Sequence, residues 1–188
     1  MNNEKPLSKE EQNILLEYAR HCVESHVLKQ EIHTLDDPRF QDMGAVFVTI
    51  HRKGELRGCI GRFAWDTPLT FAIQEMAIHA ATQDPRFLPI SKDELSLLSF
   101  EISVLSPPVV VQDINEIEIG VHGLIISMGM KRGVLLPQVA SERAWTVQEF
   151  LENTCQKANL PKNAWEKDNC EILSFKASVF SDTPTSKK

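Results

Sequence analysis

The chain contains no apolar run long enough to cross a bilayer and no cluster of basic residues. A membrane helix needs about 20 consecutive apolar residues, and residues 1–5 lack the apolar core of a secretory signal. The net charge is −6, and the lysines and arginines are scattered along the chain. They therefore form no positively charged patch of the kind that binds the phosphate backbone of a nucleic acid. These absences predict a cytoplasmic protein with no nucleic-acid partner and no membrane partner.

Closely spaced cysteines are also missing. The four cysteines, at positions 22, 59, 155 and 170, include no CxxC pair and no zinc-knuckle or iron–sulfur spacing. Neither a glycine-rich phosphate loop nor a GxSxG elbow is present. We therefore predict free thiols in a reducing compartment, no metal and no cofactor. One alternative stays open, because Cys22 and His26 have the spacing of two metal ligands on a helix, although core packing is the favoured interpretation of Cys22.

The run LRGCIG at positions 56–61 places one thiol between two glycines and beside an arginine in a strand-like segment. Glycines inside a strand allow a backbone or a ligand to approach closely. Strand alternation puts Arg57 and Cys59 on one face, where the guanidinium favours the thiolate. Cys59 is thus a candidate nucleophile, and the alternative is that it is a small, inert core residue. The candidate ligand-binding residues of this run are Arg57, Gly58, Ile60 and Gly61.

Three further residues are candidates for chemistry. Glu101 lies on the second face of a predicted strand, where it is either a solvated carboxylate or an acid–base group beside Cys59. His122 stands next to a glycine in a predicted turn, and is either a turn cap or the imidazole partner of Cys59. Arg86 follows Asp84 and Pro85, and either braces that turn against Asp84 or binds a carboxylate or phosphate of a ligand.

Helical and strand patterns follow one another without regular βαβ alternation, which predicts an α+β fold. Capping boxes begin at Ser8, Ser91 and Thr146, and Thr67 with Pro68 predicts a further helix start. The length suits one domain over residues 8–180, with tails at 1–7 and 181–188, of which the second is expected to be disordered. The predicted helices cover 8–30, 67–83, a short stretch after 91 and 146–158, and the predicted strands cover 45–51, the LRGCIG run, 100–105, 124–126, 134–136 and 170–180.

The LRGCIG run resembles the signature of the AMMECR family. Four further stretches resemble the same family in the same order, and they lie at 80–87, 101–105, 120–124 and 135–155. The pattern is most similar to the prokaryotic members, which are associated with the AmmeMemoRadiSam system. The resemblance implies two unequal lobes, a mixed β-sheet flanked by helices, and an inter-lobe cleft lined by the LRGCIG signature.

Two classes of function follow from the signature and the resemblance. In the favoured one, the protein is a binding or accessory module that acts with Memo-like and radical-SAM partners, with a small-molecule ligand in the cleft. In the alternative, it is an enzyme in which Cys59 is a nucleophile or redox thiol, while Glu101 and His122 handle protons. The sequence leaves both open.

Overall fold

The computed structural model describes residues 7–182, and they form two compact units. Unit 1 comprises the residues up to Leu105 together with those from Ser178 onward, and unit 2 comprises Ser106–Ala177. The helices are α1 (Lys9–Leu28), α2 (Leu69–Thr82), α3 (Pro137–Glu142) and α4 (Val147–Lys157). The strands are β1 (Ala45–Arg52), β2 (Glu55–Arg62), β3 (Leu98–Leu105), β4 (Val109–Val110), β5 (His122–Met128), β6 (Lys131–Leu135) and β7 (Glu171–Ser181).

Unit 1 packs two helices against one face of an antiparallel sheet. β1 lies between β2 and β3 and pairs antiparallel with both. Its alternate residues Val46, Val48 and Ile50 are completely buried against a core to which α1 and α2 contribute. The strand pattern predicted for 45–51 is confirmed, because alternate apolar side chains on β1 all face the helices.

Unit 2 has a core of its own. β5 pairs antiparallel with both β6 and β7, and β4 pairs with β7. Leu124 and Ile126 of β5 are fully buried beside Phe150 and Leu151 of α4. The α+β prediction is confirmed.

Most predicted helix starts are confirmed, and three local predictions are wrong. The capping boxes that begin at Ser8, Ser91 and Thr146 are all formed. Thr67 does not cap α2, since its hydroxyl donates to Asp66 Oδ1 at 2.9 Å and the N-cap is Pro68. Pro137 begins helix α3, where we expected only the end of a strand, because proline at the first helical position costs no hydrogen bond.

The third wrong prediction concerns β7. Alternation along the predicted strand 170–180 would point Leu173, Phe175, Ala177 and Val179 inward, but Val179 is 50% exposed and Phe180 is 5% exposed. Phe175 belongs to unit 2 and Phe180 to the core of unit 1, so the buried side of the strand changes where the chain passes from one unit to the other.

The structure tests two predictions about the whole chain only in part. Within residues 7–182, no helix combines the length and apolarity needed to span a membrane. The predicted tails lie outside the described residues apart from Leu7, Ser181 and Asp182. Ser181 ends β7, and the Asp182 carboxylate accepts a hydrogen bond from the Phe100 N–H at 2.8 Å.

Candidate functional site

The LRGCIG signature lies on β2, at the edge of the unit 1 sheet, and contains a β-bulge. Thr49 pairs with Cys59 and Ile50 with Gly58, but the next residue of β1, His51, pairs with Leu56. Arg57 is therefore the extra residue of a bulge. The bulge interrupts the alternation that placed Arg57 and Cys59 on one face in the sequence-based prediction.

The Arg57 guanidinium forms a bidentate ion pair with Glu94. Arg57 Nε lies 2.8 Å from Glu94 Oε1, and a terminal nitrogen lies 3.1 Å from Oε2. Both side chains are largely buried, at 14% and 13% exposure. The hydrogen bonds from Arg57 lower the pKa of Glu94 to about 2, although its burial opposes this. Glu94 also accepts the Ser91 N–H at 2.9 Å, so Arg57 holds the 3-10 turn Lys92–Leu97 against β2.

Both glycines of the signature permit close packing. A Cβ atom at Gly58 would overlap the Ala80 carbonyl oxygen of α2, and one at Gly61 would overlap the Phe47 ring. That ring in turn packs edge-on against Phe63, with centroids 5.1 Å apart. Glycine is needed at both positions because any larger residue would push a helix or a ring off the strand.

Asp84 connects the signature to the turn after α2. Its Oδ2 accepts the Cys59 N–H at 2.8 Å and an Arg86 N–H at 2.7 Å, while Oδ1 accepts Arg86 Nε at 2.9 Å. Asp84 is only 4% exposed. The hydrogen bonds from Arg86 hold the pKa of the Asp84 carboxyl well below its usual range, although burial opposes them. The turn brace expected between Asp84 and Arg86 is present, and it also satisfies a backbone donor on an edge strand.

The Cys59 thiol is half-buried and has two polar neighbours. Its Sγ accepts a hydrogen bond from the Thr49 hydroxyl at 3.2 Å. Hydrogen bonds to Asp84 raise the pKa of Arg86, and the negative charge of a Cys59 thiolate raises it further. The cation that interacts with the sulfur is thus Arg86, whose side chain is 54% exposed. Arg57, the cation expected from the sequence, is held by Glu94.

An aromatic ring lies between the two arginines. Arg57 Cζ is 5.8 Å and Arg86 Cζ is 5.5 Å from the centroid of Phe87. Guanidinium groups at this distance from a ring are attracted by its negative face. Phe87 therefore helps to keep both cations next to the signature.

Glu101 and Cys59 lie on the same face of the sheet. Thr49 of β1 pairs with Cys59 on one side and with Glu101 of β3 on the other. We call these three side chains the signature face, which is directed away from the core of unit 1. Ile60 points the other way and packs against that core.

His122 belongs to unit 2, where it is the first residue of β5. Its Nδ1 accepts the Glu118 N–H at 3.0 Å, so the neutral ring carries its proton on Nε2. The only lone pair of the neutral imidazole is therefore occupied. His122 acts as a turn cap, and it would have to break this bond to accept a proton from a substrate.

Sequence reasoning missed Thr49 and Glu94 as partners of the signature. The register set by the short turn at residues 53–54 would place Thr49 opposite Gly58, so the observed pairing of Thr49 with Cys59 depends on the bulge. Glu94 was identified only as a capping residue, and its pairing with Arg57 depends on a bulge that has no local sequence signal. Among residues 7–182, no group of three or more histidine, cysteine or acidic side chains is arranged to hold a metal ion.

Comparison with known proteins shows the family of the chain. The AMMECR1 family model matches residues 16–180. The chain belongs to the AMMECR1 family. A protein of Methanothermobacter thermautotrophicus is 41% identical, with 93% of this chain and 96% of the relative covered. A relative from Methanocaldococcus jannaschii is 38% identical, with 94% and 92% covered.

One solved structure is similar to nearly the whole chain. The crystal structure of an uncharacterized protein from Pyrococcus horikoshii matches with a TM-score of 0.80 and 35% identity, covering 93% of each chain. This agreement supports the family fold.

Proposed function

We propose that the protein is a cytosolic binding or accessory module whose binding surface is the signature face together with Arg86. The observation that carries the proposal is that the signature is built as a rigid scaffold. Arg57 is paired with Glu94, Asp84 with Arg86, and Gly58 is packed against a helix carbonyl. These internal contacts fix the side chains of the signature before any partner binds. A surface that is already ordered loses less conformational entropy on binding, which favours recognition.

Glu101 supports this function because its carboxylate is not used by the fold. Within residues 7–182 the Glu101 side chain has no hydrogen bond or ion pair, although it is half-buried. No buried side-chain oxygen of the described residues lacks a hydrogen bond, so the Glu101 oxygens are accessible from outside the fold. An external partner with a cationic or donor group satisfies it, and Memo-like and radical-SAM proteins are the proposed partners because the chain is an AMMECR1-family member.

The experiment is titration calorimetry of the purified protein with a purified Memo-like protein. We expect Glu101→Lys to weaken binding at least tenfold, because it reverses the charge of a side chain on the proposed surface without removing an internal bond. Glu55→Lys is the matched control, since it makes the same charge change at an exposed residue of β2. Equal affinities of the wild type and Glu101→Lys, or no binding by the wild type, would contradict the proposal.

A second candidate function is a thiol enzyme, and the hydrogen bond from Thr49 to Cys59 Sγ favours it. A hydroxyl donor and a nearby guanidinium both stabilise a thiolate. In this function Cys59→Ser abolishes complementation of a strain that lacks the gene, while the urea unfolding midpoint stays nearly unchanged. A Cys59→Ser protein that complements fully would exclude it.

A further inference from the structure

His51 lies on the same side of the sheet as the signature face. Along β1, Thr49 and His51 are half-buried, whereas Val48 and Ile50 between and beside them are completely buried in the core. Thr49 faces Cys59 on one neighbouring strand and Glu101 on the other. His51 is two residues further along β1 and is therefore a diagonal neighbour of both.

These register positions bring the three side chains within reach of one another. Directly paired residues in an antiparallel sheet have Cβ atoms about 5 Å apart, and diagonal neighbours have them about 7 Å apart. An imidazole extends several ångströms beyond its Cβ atom. Because of the bulge at Arg57, Leu56 is the residue opposite His51.

Hydrogen bonding leaves His51 available for chemistry. Over residues 7–182, neither the His51 ring nor the Glu101 carboxylate has a hydrogen-bond or ion-pair partner within the fold. The Nδ1 atom of His122, in contrast, accepts a backbone hydrogen bond. His51 therefore has a free lone pair in its neutral form, and His122 does not.

We propose that Cys59, His51 and Glu101 form one reactive cluster, in which His51 accepts the Cys59 proton and the thiolate attacks a small carbon electrophile that carries a leaving group. The proposal rests on the second candidate function, in which Cys59 reacts. His51 takes the proton from Sγ, a bond forms between sulfur and the electrophilic carbon, and the leaving group departs with its bonding electron pair.

The charges around the thiol are of both signs. Arg86 is compensated by Asp84, with a distance of 2.7 Å between the charged groups, whereas Arg52 and Arg57 share Glu94, at 3.6 and 2.8 Å. Glu101 on β3 adds a negative charge with no cation paired to it in the described part of the chain. A negative charge near His51 favours the imidazolium that forms when His51 takes the Cys59 proton.

The first test is the rate at which iodoacetamide alkylates Cys59 at pH 7, mapped by mass spectrometry in the wild type, His51→Gln and His26→Gln. His26 is an exposed histidine on α1 and serves as the matched control. We expect His51→Gln to react at least fivefold more slowly and His26→Gln to react like the wild type. Circular dichroism and the urea midpoint verify that each variant is folded.

The second test repeats the iodoacetamide measurement with Glu101→Gln, which removes the negative charge but keeps the size of the side chain. We expect this variant to react at least twofold more slowly than the wild type. An equal rate in the wild type and His51→Gln overturns the role of His51 while Cys59 remains reactive. A wild-type Cys59 that is protected until unfolding overturns the thiol function as well.

Discussion

At the scale of single residues, Gly58 is the position of the signature with the least room for a side chain. A Cβ atom there would overlap the Ala80 carbonyl oxygen of α2, and that backbone atom cannot rotate away as a side chain can. We expect Gly58→Ala to lower the free energy of unfolding by about 1–3 kcal/mol, as overpacking of a well-packed interior does. Urea unfolding measures the change.

Glu55→Ala is the control for this prediction, because Glu55 is exposed on the same strand. Surface substitutions of this kind usually change stability by less than about 0.5 kcal/mol. If Gly58→Ala were as stable as Glu55→Ala, the strand would not be held against the helix as described.

Glu94 provides a prediction about acid stability. The hydrogen bonds from Arg57 lower the pKa of Glu94 from its ordinary 4.5 to about 2. A lowered pKa in the folded state means that the stabilisation is fully present above about pH 4.5 and is lost as the pH falls toward 2. We expect Glu94→Gln to cost about 1–3 kcal/mol at pH 7, with the gap to the wild type closing between about pH 4.5 and 2 in urea titrations.

Glu55→Gln is the comparison variant, because it removes an exposed carboxylate. Its stability is expected to follow the wild type at every pH. A gap for Glu94→Gln that stayed constant down to pH 2 would show that the ion pair with Arg57 does not stabilise the fold.

At the scale of elements, the capping boxes are the most dependable local feature. The Thr146 hydroxyl accepts the Glu149 N–H at 3.2 Å, and Glu149 Oε2 accepts the Thr146 N–H at 2.8 Å. Removal of the capping hydroxyl leaves a backbone donor of α4 without its partner. We expect Thr146→Ala to lower the unfolding free energy by about 0.5–2 kcal/mol in urea titrations.

Thr146→Ser restores the hydroxyl and is expected to recover most of the loss. If Thr146→Ser were as unstable as Thr146→Ala, the methyl group of the threonine would be responsible and the cap would not.

Elements that have strong local signals could be predicted from the sequence, and those that depend on context could not. The boxes at Ser8, Ser91 and Thr146 involve groups three residues apart, so their hydrogen bonds form whenever the chain is locally helical. Pro137 is compatible with a strand end and with a helix start. Ala140 of α3 is completely buried in the core of unit 2, and this packing favours the helix over a strand end.

At the scale of the whole molecule, burial divides the four cysteines into two classes. Cys22 and Cys155 are completely buried, whereas Cys59 and Cys170 are half-buried. Burial raises the pKa of Cys22 to about 11 and raises the pKa of Cys155 as well. We expect iodoacetamide to leave Cys22 and Cys155 unmodified in the native protein, because alkylation needs an accessible thiolate.

Mass spectrometry before and after unfolding in urea measures this pattern, and the unfolded chain serves as the control in which all four thiols react. Equal rates for Cys22 in the native and unfolded protein would contradict the burial described for α1.

The sequence by itself determined the α+β class, the main helix starts, the AMMECR family and the segments that carry the candidate site. These properties depend on periodicity, capping and motif order, which are interactions or patterns among residues close together in the chain. It also indicated Cys59, Arg86 and Glu101 as candidates, from the glycine-flanked motif, the turn after a helix and the strand face on which they lie.

Only the tertiary structure decided which of these residues meet. The bulge at Arg57 directs its guanidinium to Glu94, and the register of β1 places Thr49 between Cys59 and Glu101. Bulges and registers depend on how a sheet packs against its helices, and here the contact of Gly58 with α2 and the bond from Cys59 to Asp84 hold the edge strand in place. These contacts join residues that are far apart in sequence, so no local pattern encodes them.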